Sequence, residues 1–206
     1  MTKPGKTLKI ILLTGDVEAG PLSDVLKSHN GDLDIIHAPS LDDLEKNAAV
    51  DGENDHLRLI SFINGTIVPK GILEIFQGDA YNFHPGPPEY PGSGAAGFAV
   101  YEGAKQFGTT AHIMTASVDA GPIIKTVRFD SDPSMRFIDL ELRAYRAAFD
   151  LFIELSEKLA TSPVALLPSG ERWTGIKRRK KDVEDMKNIS EDMSEDEIKR
   201  RFRAFG

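Results

Sequence analysis

With 206 residues and a mass of 22.6 kDa, the chain can bury one sizeable core and carry a modest appendage. Its net charge of −7 argues against a broad contact with a nucleic-acid backbone. The absence of cysteine excludes disulfides, thiolate metal sites and thiol nucleophiles. The five histidines fall at no H-x-x-x-H or H-x-x-E-H spacing, so no metal is expected.

After the polar residues 1–7, an apolar run over 8–13 reads as a buried first strand ending at Thr14 and Gly15. The run is too short for a signal-peptide core or a membrane span, which sets the expectation of a cytoplasmic protein without membrane contact. Residues 21–27 read as a helix with Pro21 in its first turn. A second strand is expected over 33–37. Ser40 is expected to cap a second helix, with Asp43 three residues on. A strand over 57–63, a helix over 69–76 and a strand over 80–83 continue the alternation. A helix over 94–104 and strands over 109–114 and 123–129 follow. The stretch 137–159 carries apolar residues three or four apart (Ile138, Leu142, Tyr145, Phe149, Phe152, Leu155) and reads as an amphipathic helix.

This alternation predicts an α/β fold, a Rossmann-like, mostly parallel sheet flanked by helices, with right-handed crossovers. Beyond residue 162 prolines and glycines punctuate a loop-rich extension. It ends in a short helix opened by Ser194 with Glu197 at the third position, a capping-box pattern. The expected division is a domain over 1–162 and an extension over 163–206, packed on that domain or on a partner. The run Lys177-Arg178-Arg179-Lys180-Lys181 within it reads as a solvated loop, although it is basic enough to meet an anion.

Chemistry concentrates between residues 81 and 124. Asn82 and His84 lie two apart at a strand end, so both side chains face one way and Phe83 the other. Asp119 stands in a turn-like Asp-Ala-Gly-Pro stretch. Taken singly, each residue has a bland reading: a turn-forming Asn, a surface or core His, a turn Asp. Together an amide donor, an imidazole and a carboxylate make an acid–base site able to polarise a carbonyl and move a proton. The carboxylate is expected to orient the ring and favour its charged form. In parallel α/β sheets ligands bind outside the carboxyl ends of the strands, where Asn82 and His84 fall.

Over residues 57–128 the chain resembles the folate-dependent formyltransferases: the methionyl-tRNA, glycinamide ribonucleotide and sugar N-formyltransferases. The motifs are Asn82-Phe83-His84 with a Pro-rich loop ending at Gly92, Asp119-Ala120-Gly121-Pro122, the stretch Gly108-Thr109-Thr110-Ala111-His112, and Ile67-Val68-Pro69-Lys70-Gly71-Ile72-Leu73. The resemblance implies 10-formyltetrahydrofolate as formyl donor, a primary amine as acceptor, and no metal. It implies that Asn82 and His84 stabilise the developing oxyanion and that Asp119 assists proton transfer. It further implies that the pterin of the folate lies between a stretch containing Ile63, Ile67 and Val68 and a loop containing Thr115, Ser117 and Val118.

The acceptor is left open by departures from the family pattern. Gly86-Pro87-Pro88-Glu89 stiffens the loop after His84. Asp16 and Glu18 stand where glycinamide ribonucleotide enzymes bind phosphate. The expected length also leaves no room for the extra tRNA domain of the methionyl-tRNA enzymes. A nucleotide-linked amino sugar is therefore the leading acceptor. The other readings are methionyl-tRNA formylation without the tRNA domain, hydrolysis of 10-formyltetrahydrofolate, and folate binding without turnover. The expected partners are folate and a small-molecule amine, and a homodimer is compatible with the sequence. The Arg203-Ala204-Phe205 ending resembles a segment that follows the catalytic domain in formyltransferases, and the resemblance implies that Arg201 or Arg203 lies near an anionic acceptor or folate tail.

Overall fold

The strand β1 (Leu8–Leu13) alternates its side chains between two apolar environments, and the layers follow from that alternation. Ile10 and Leu12 pack with Leu22, Leu26, Phe83 and Phe152 on one face, and Ile11 and Leu13 pack with Leu44, Leu59 and Leu73 on the other. A sheet buried on both sides must carry helices on both sides. This computed structural model describes residues 8–48, 56–132 and 134–206, and the N-terminal stretch 1–7 lies outside them.

The elements follow in order: β1, α1 (Asp16–His29), β2 (Asp34–Ala38), α2 (Leu41–Ala48), β3 (His56–Phe62), α3 (Lys70–Ile75), β4 (Ala80–His84), α4 (Ala95–Glu102), β5 (Gln106–Ile113), β6 (Ile123–Asp130) and α5 (Phe137–Thr161). The extension then adds α6 (Lys180–Lys187) and α7 (Glu195–Phe205). The six strands form one sheet in the order β2-β1-β3-β4-β5-β6. The pairs among β2, β1, β3 and β4 are parallel, whereas β5 pairs antiparallel with both β4 and β6. The expected mostly parallel sheet is present, with one strand, β5, running against the other five.

The first helix differs from expectation. It begins at Asp16 rather than at Pro21, and Pro21 sits inside it. Proline there withholds an N–H from the Val17 carbonyl, but Asp16 and Glu18 in the first turn complement the helix dipole. The caps at Ser40 and Ser194 form as expected: each hydroxyl accepts the backbone N–H three residues on. The helix α6 was not anticipated, because its sequence has no apolar stripe and none of its residues is buried.

A buried ion pair holds the end of α5 against the sheet. Arg58 on β3 is fully buried and Asp79 nearly so. The guanidinium donates to both Asp79 carboxylate oxygens at 3.0 Å and to the carbonyls of Leu159 and Ser162. Every polar group of the pair has a partner, which is the condition for tolerating it in the core.

The extension folds back over the strand ends on its own chain. The Tyr81 hydroxyl oxygen accepts the Leu166 N–H at 2.8 Å. On α7, Ala204 and Phe205 are buried against α4, with Phe205 meeting the Phe98 ring at 5.0 Å between centroids. Arg201 is bound to Glu197 and to the carbonyls of Asp185 and Asn188, and Arg203 is exposed. Neither lines the site cavity, contrary to the placement that the resemblance implied. Among the described residues no helix is long and apolar enough to cross a membrane.

Candidate active site

Asn82 and His84 close β4, and their antiparallel partners across β5 are His112 and Thr110. The register explains a feature that spacing alone did not reveal: His112 faces the same side as Asn82. The Asn82 amide nitrogen lies 3.2 Å from His112 Nε2. The His112 Nδ1–H donates to the Ile113 carbonyl at 2.9 Å, so in the neutral ring Nε2 accepts from Asn82. One N–H of the amide is thereby used, and the other is left for an oxygen in the cavity.

Asp119 enters from the loop joining β5 to β6. Its Oδ2 lies 3.3 Å from His84 Nδ1 and accepts the Gly92 N–H at 2.8 Å, and its Oδ1 lies 3.2 Å from His112 Nε2. The sequence trio therefore converges, with His112 as a fourth member. The Asp119 backbone is left-handed, with φ 42°, a conformation that costs a non-glycine residue free energy and occurs most often at functional sites. Gly121 allows the turn to close: a Cβ there would overlap the Ile113 carbonyl.

The loop after His84 is braced from β5. Thr109 donates to the His84 carbonyl at 2.7 Å and Thr110 to the Gly86 carbonyl at 2.8 Å. The His84 Nε2–H donates to the Tyr90 carbonyl at 3.0 Å. In the neutral ring Nδ1 is then the basic nitrogen, and it faces Asp119. A proton arriving there is held at once by a carboxylate.

Trp173 from the extension packs against both imidazoles, 5.9 Å from His84 and 5.1 Å from His112 between centroids, edge to face. Its indole N–H donates to the Gly121 carbonyl at 2.8 Å. The Thr174 and Gly175 N–H groups both donate to the Pro88 carbonyl. A side chain at Gly175 would strike the Glu89 carbonyl, so only glycine permits this approach. The extension thus ties the loop after His84 to the Asp119 turn.

Burial sets the electrostatics. It drives the His84 imidazole below its ordinary pKa, and the His112 ring adds to the lowering, while Asp119 and the Tyr90 carbonyl oppose it. The expectation that Asp119 keeps the ring charged is thus corrected: desolvation outweighs the carboxylate. For Asp119 burial favours the neutral acid, but the His84 and His112 imidazoles in their protonated forms, together with the Gly92 N–H, prevail and hold the carboxyl at about 2. At neutral pH the resting site is an ionised carboxylate beside a neutral imidazole.

These groups line one end of a cavity of about 890 Å³. Ile63, Ile67 and Val68 line it, and so do Thr115, Ser117 and Val118 from the loop that leads to Asp119. All six residues assigned by resemblance to the folate therefore line the same space. Val68 is 4 % exposed and packs in the core, so it offers the cavity little more than its edge. Ile63 has φ 46°, a strained value for a β-branched residue, at the point where β3 ends. Sequence reading missed His112, Trp173 and the cavity-facing basic run 177–181. For His112 the signal was its place two residues after Thr110 on an expected strand; for Trp173 there was none.

The profile of the family described as formyl transferase matches residues 39–154. The methionyl-tRNA formyltransferase of Thermotoga maritima is 31 % identical over 103 residues, covering 50 % of this chain and 33 % of that protein. The chain's match thus spans about a third of that curated relative's length. Among solved structures, a Mycobacterium tuberculosis protein described as a candidate sugar N-formyltransferase superposes with a TM-score of 0.74 at 21 % identity, over 98 % of this chain and 88 % of that one. The formyltransferase PseJ from Anoxybacillus kamchatkensis, solved with UDP-4,6-dideoxy-4-formamido-L-AltNAc and tetrahydrofolate, gives a TM-score of 0.71 at 19 % identity over 97 % and 100 %. At these identities the structural similarity is one of fold.

Proposed function

We propose, since this chain belongs to the formyl transferase family, that it transfers a formyl group from 10-formyltetrahydrofolate to a primary amine of a small molecule. The observation that carries this reading is the meeting of Asn82, His84, His112 and Asp119 at one end of an 890 Å³ cavity.

The cavity suits the donor. A slot between Ile63 and Ile67 on one side and Val118 on the other offers apolar surface to a flat heterocycle. Thr115 and Ser117 add polar groups along the facing edge. When bound, the donor supplies a formyl group whose bond to the folate nitrogen breaks as a bond to the acceptor nitrogen forms. The free N–H of Asn82 is suited to stabilise charge gathering on the formyl oxygen. His84, neutral at rest, takes the proton that the attacking amine must lose and returns it to the folate nitrogen as that nitrogen leaves, and Asp119 stabilises the imidazolium between the two transfers. Trp173 keeps water from the back of both rings.

The leading acceptor is a nucleotide-linked amino sugar, supported by the structural likeness to PseJ, whose bound product is a formamido sugar nucleotide. The curated methionyl-tRNA relatives keep a second acceptor in view, though the net charge of −7 disfavours tRNA. Calorimetry with 5-formyltetrahydrofolate tests the donor site. Micromolar binding, followed by formamide formation from an amino-sugar nucleotide and 10-formyltetrahydrofolate, is the expected result. Failure to bind the folate would remove the reading.

A further inference from the structure

Ser61 on β3 is fully buried, and its hydroxyl has no hydrogen-bond partner among the described residues. A hydroxyl taken out of water without a partner costs free energy, so native interiors keep few of them. The other buried hydroxyls nearby are committed: Thr14 donates to the Phe62 carbonyl, Thr109 to that of His84 and Thr110 to that of Gly86. Ser61 stands apart from them, and it lines the cavity of the site.

Strand register places this hydroxyl. Ser61 pairs with Asn82 across the parallel ladder of β3 and β4, and Asn82 pairs with His112 across β4 and β5. Register partners present their side chains on one face, about 5 Å apart from strand to strand. Ser61, Asn82 and His112 thus form a row across three strands, with the amide in the middle. The Asn82 Nδ2 is turned toward β5, where it lies 3.2 Å from His112 Nε2. In a planar amide the oxygen lies across from the nitrogen, so Oδ1 is turned toward β3, the side of Ser61. No group among the described residues donates to Oδ1. An acceptor without a donor therefore neighbours a donor without an acceptor.

Asn82 is half-buried, so water reaches its oxygen while the cavity is open. A ligand in the cavity displaces that water, and Oδ1 then needs a donor from the protein. A turn about χ1 carries the Ser61 oxygen between staggered positions with no change of backbone. We propose that Ser61 is a positioning residue for Asn82: with the donor bound, its hydroxyl donates to Asn82 Oδ1 and holds the amide with its second N–H at the formyl oxygen. The inference rests on the reading of the cavity as the formyl-transfer site, and adds a residue to that site. Donation to the amide oxygen also polarises the amide, which makes its remaining N–H a stronger donor.

The test uses the full chain labelled with 15N, as wild type, S61A and T126A. The last removes another buried hydroxyl, outside the cavity lining. The side-chain amide signals of Asn82, identified by their loss in N82A, are followed with and without 5-formyltetrahydrofolate. With the folate bound, these signals are expected to differ between S61A and wild type and to coincide between T126A and wild type. Folate affinity should stay within about twofold in S61A while kcat for formyl transfer falls by about tenfold. Without ligand, S61A should resist urea at least as well as wild type, because it loses an unpaired buried hydroxyl. Unchanged Asn82 signals in folate-bound S61A, or an equal change in T126A, would overturn the inference and leave the formyl-transfer reading standing. A loss of folate affinity in S61A at unchanged kcat would make Ser61 a folate contact and overturn it as well. A clear loss of urea resistance in S61A would show that the hydroxyl is already paired in the free protein, with the same consequence. If wild type does not bind the folate, the formyl-transfer reading falls and takes this inference with it.

Discussion

Asn82 and His112 are register partners across β4 and β5, and His112 accepts one amide N–H of Asn82 at 3.2 Å. The imidazole thereby fixes the amide plane and leaves the second N–H for the cavity. Replacing His112 by Ala removes the acceptor and frees the amide to rotate. Loss of one such bond is worth about 1–3 kcal/mol, so kcat should fall by roughly 10- to 100-fold. The affinity for 5-formyltetrahydrofolate should stay nearly unchanged in calorimetry, because the folate wall is untouched.

His84→Ala should cost about 3–5 kcal/mol in kcat/KM, as expected for a group that carries the proton at the reacting centre. Asn82→Ala should lower kcat with little change in folate affinity. Near wild-type turnover in either variant would refute the proposed mechanism.

The pH dependence has a definite sign. Burial lowers the His84 pKa and Asp119 partly restores it. Asp119→Asn removes the restoring charge, so the acid limb of the kcat profile should move to lower pH. An upward move in the pH–rate profile would contradict the assignment.

Stability should fall with acid in two stages. Below about 6.5 the unfolded chain protonates His84 while the folded chain resists, so stability is lost as pH falls. The Asp119 carboxyl, held at about 2 in the folded state against about 3.8 for an ordinary aspartate, contributes about 2 kcal/mol above pH 4. That contribution disappears as pH falls from about 4 to about 2. In a His84→Gln background, which removes the imidazole, urea unfolding at pH 7 and pH 3 should show a smaller acid loss with Asp119→Asn than with Asp119 retained.

Asp79→Ala leaves the Arg58 guanidinium buried without its counter-charge and should destabilise the fold by about 3–5 kcal/mol. The pair lies away from the cavity lining, so activity measured on the folded fraction should hold. Denaturant melts and active-site titration separate the two effects.

Much of the fold was legible because it is written in short-range patterns. The apolar run of β1, the stripe of α5 and the cap at Ser194 are each set by neighbours within a few residues. Asn82 and His84 were legible through the two-residue repeat of a strand. The antiparallel direction of β5 was not, since an apolar run such as Phe107 to Ile113 fits either orientation. His112 was hidden by the same ambiguity, as its partner lies thirty residues earlier in β4. Trp173 meets the histidines only through tertiary folding, and nothing near it in sequence marks that contact. The charge state of His84 was misread because proximity to Asp119 can be inferred from motif, whereas the depth of burial cannot.

Trp173 follows Asp119 in the chain, yet it seals the rings that Asp119 touches. During synthesis on the ribosome the sheet and the reacting groups emerge before the residue that covers them. A nascent chain that has emerged only through α5 therefore lacks the indole that packs on both imidazoles, and that part of their cover arrives only when the segment around Trp173 docks.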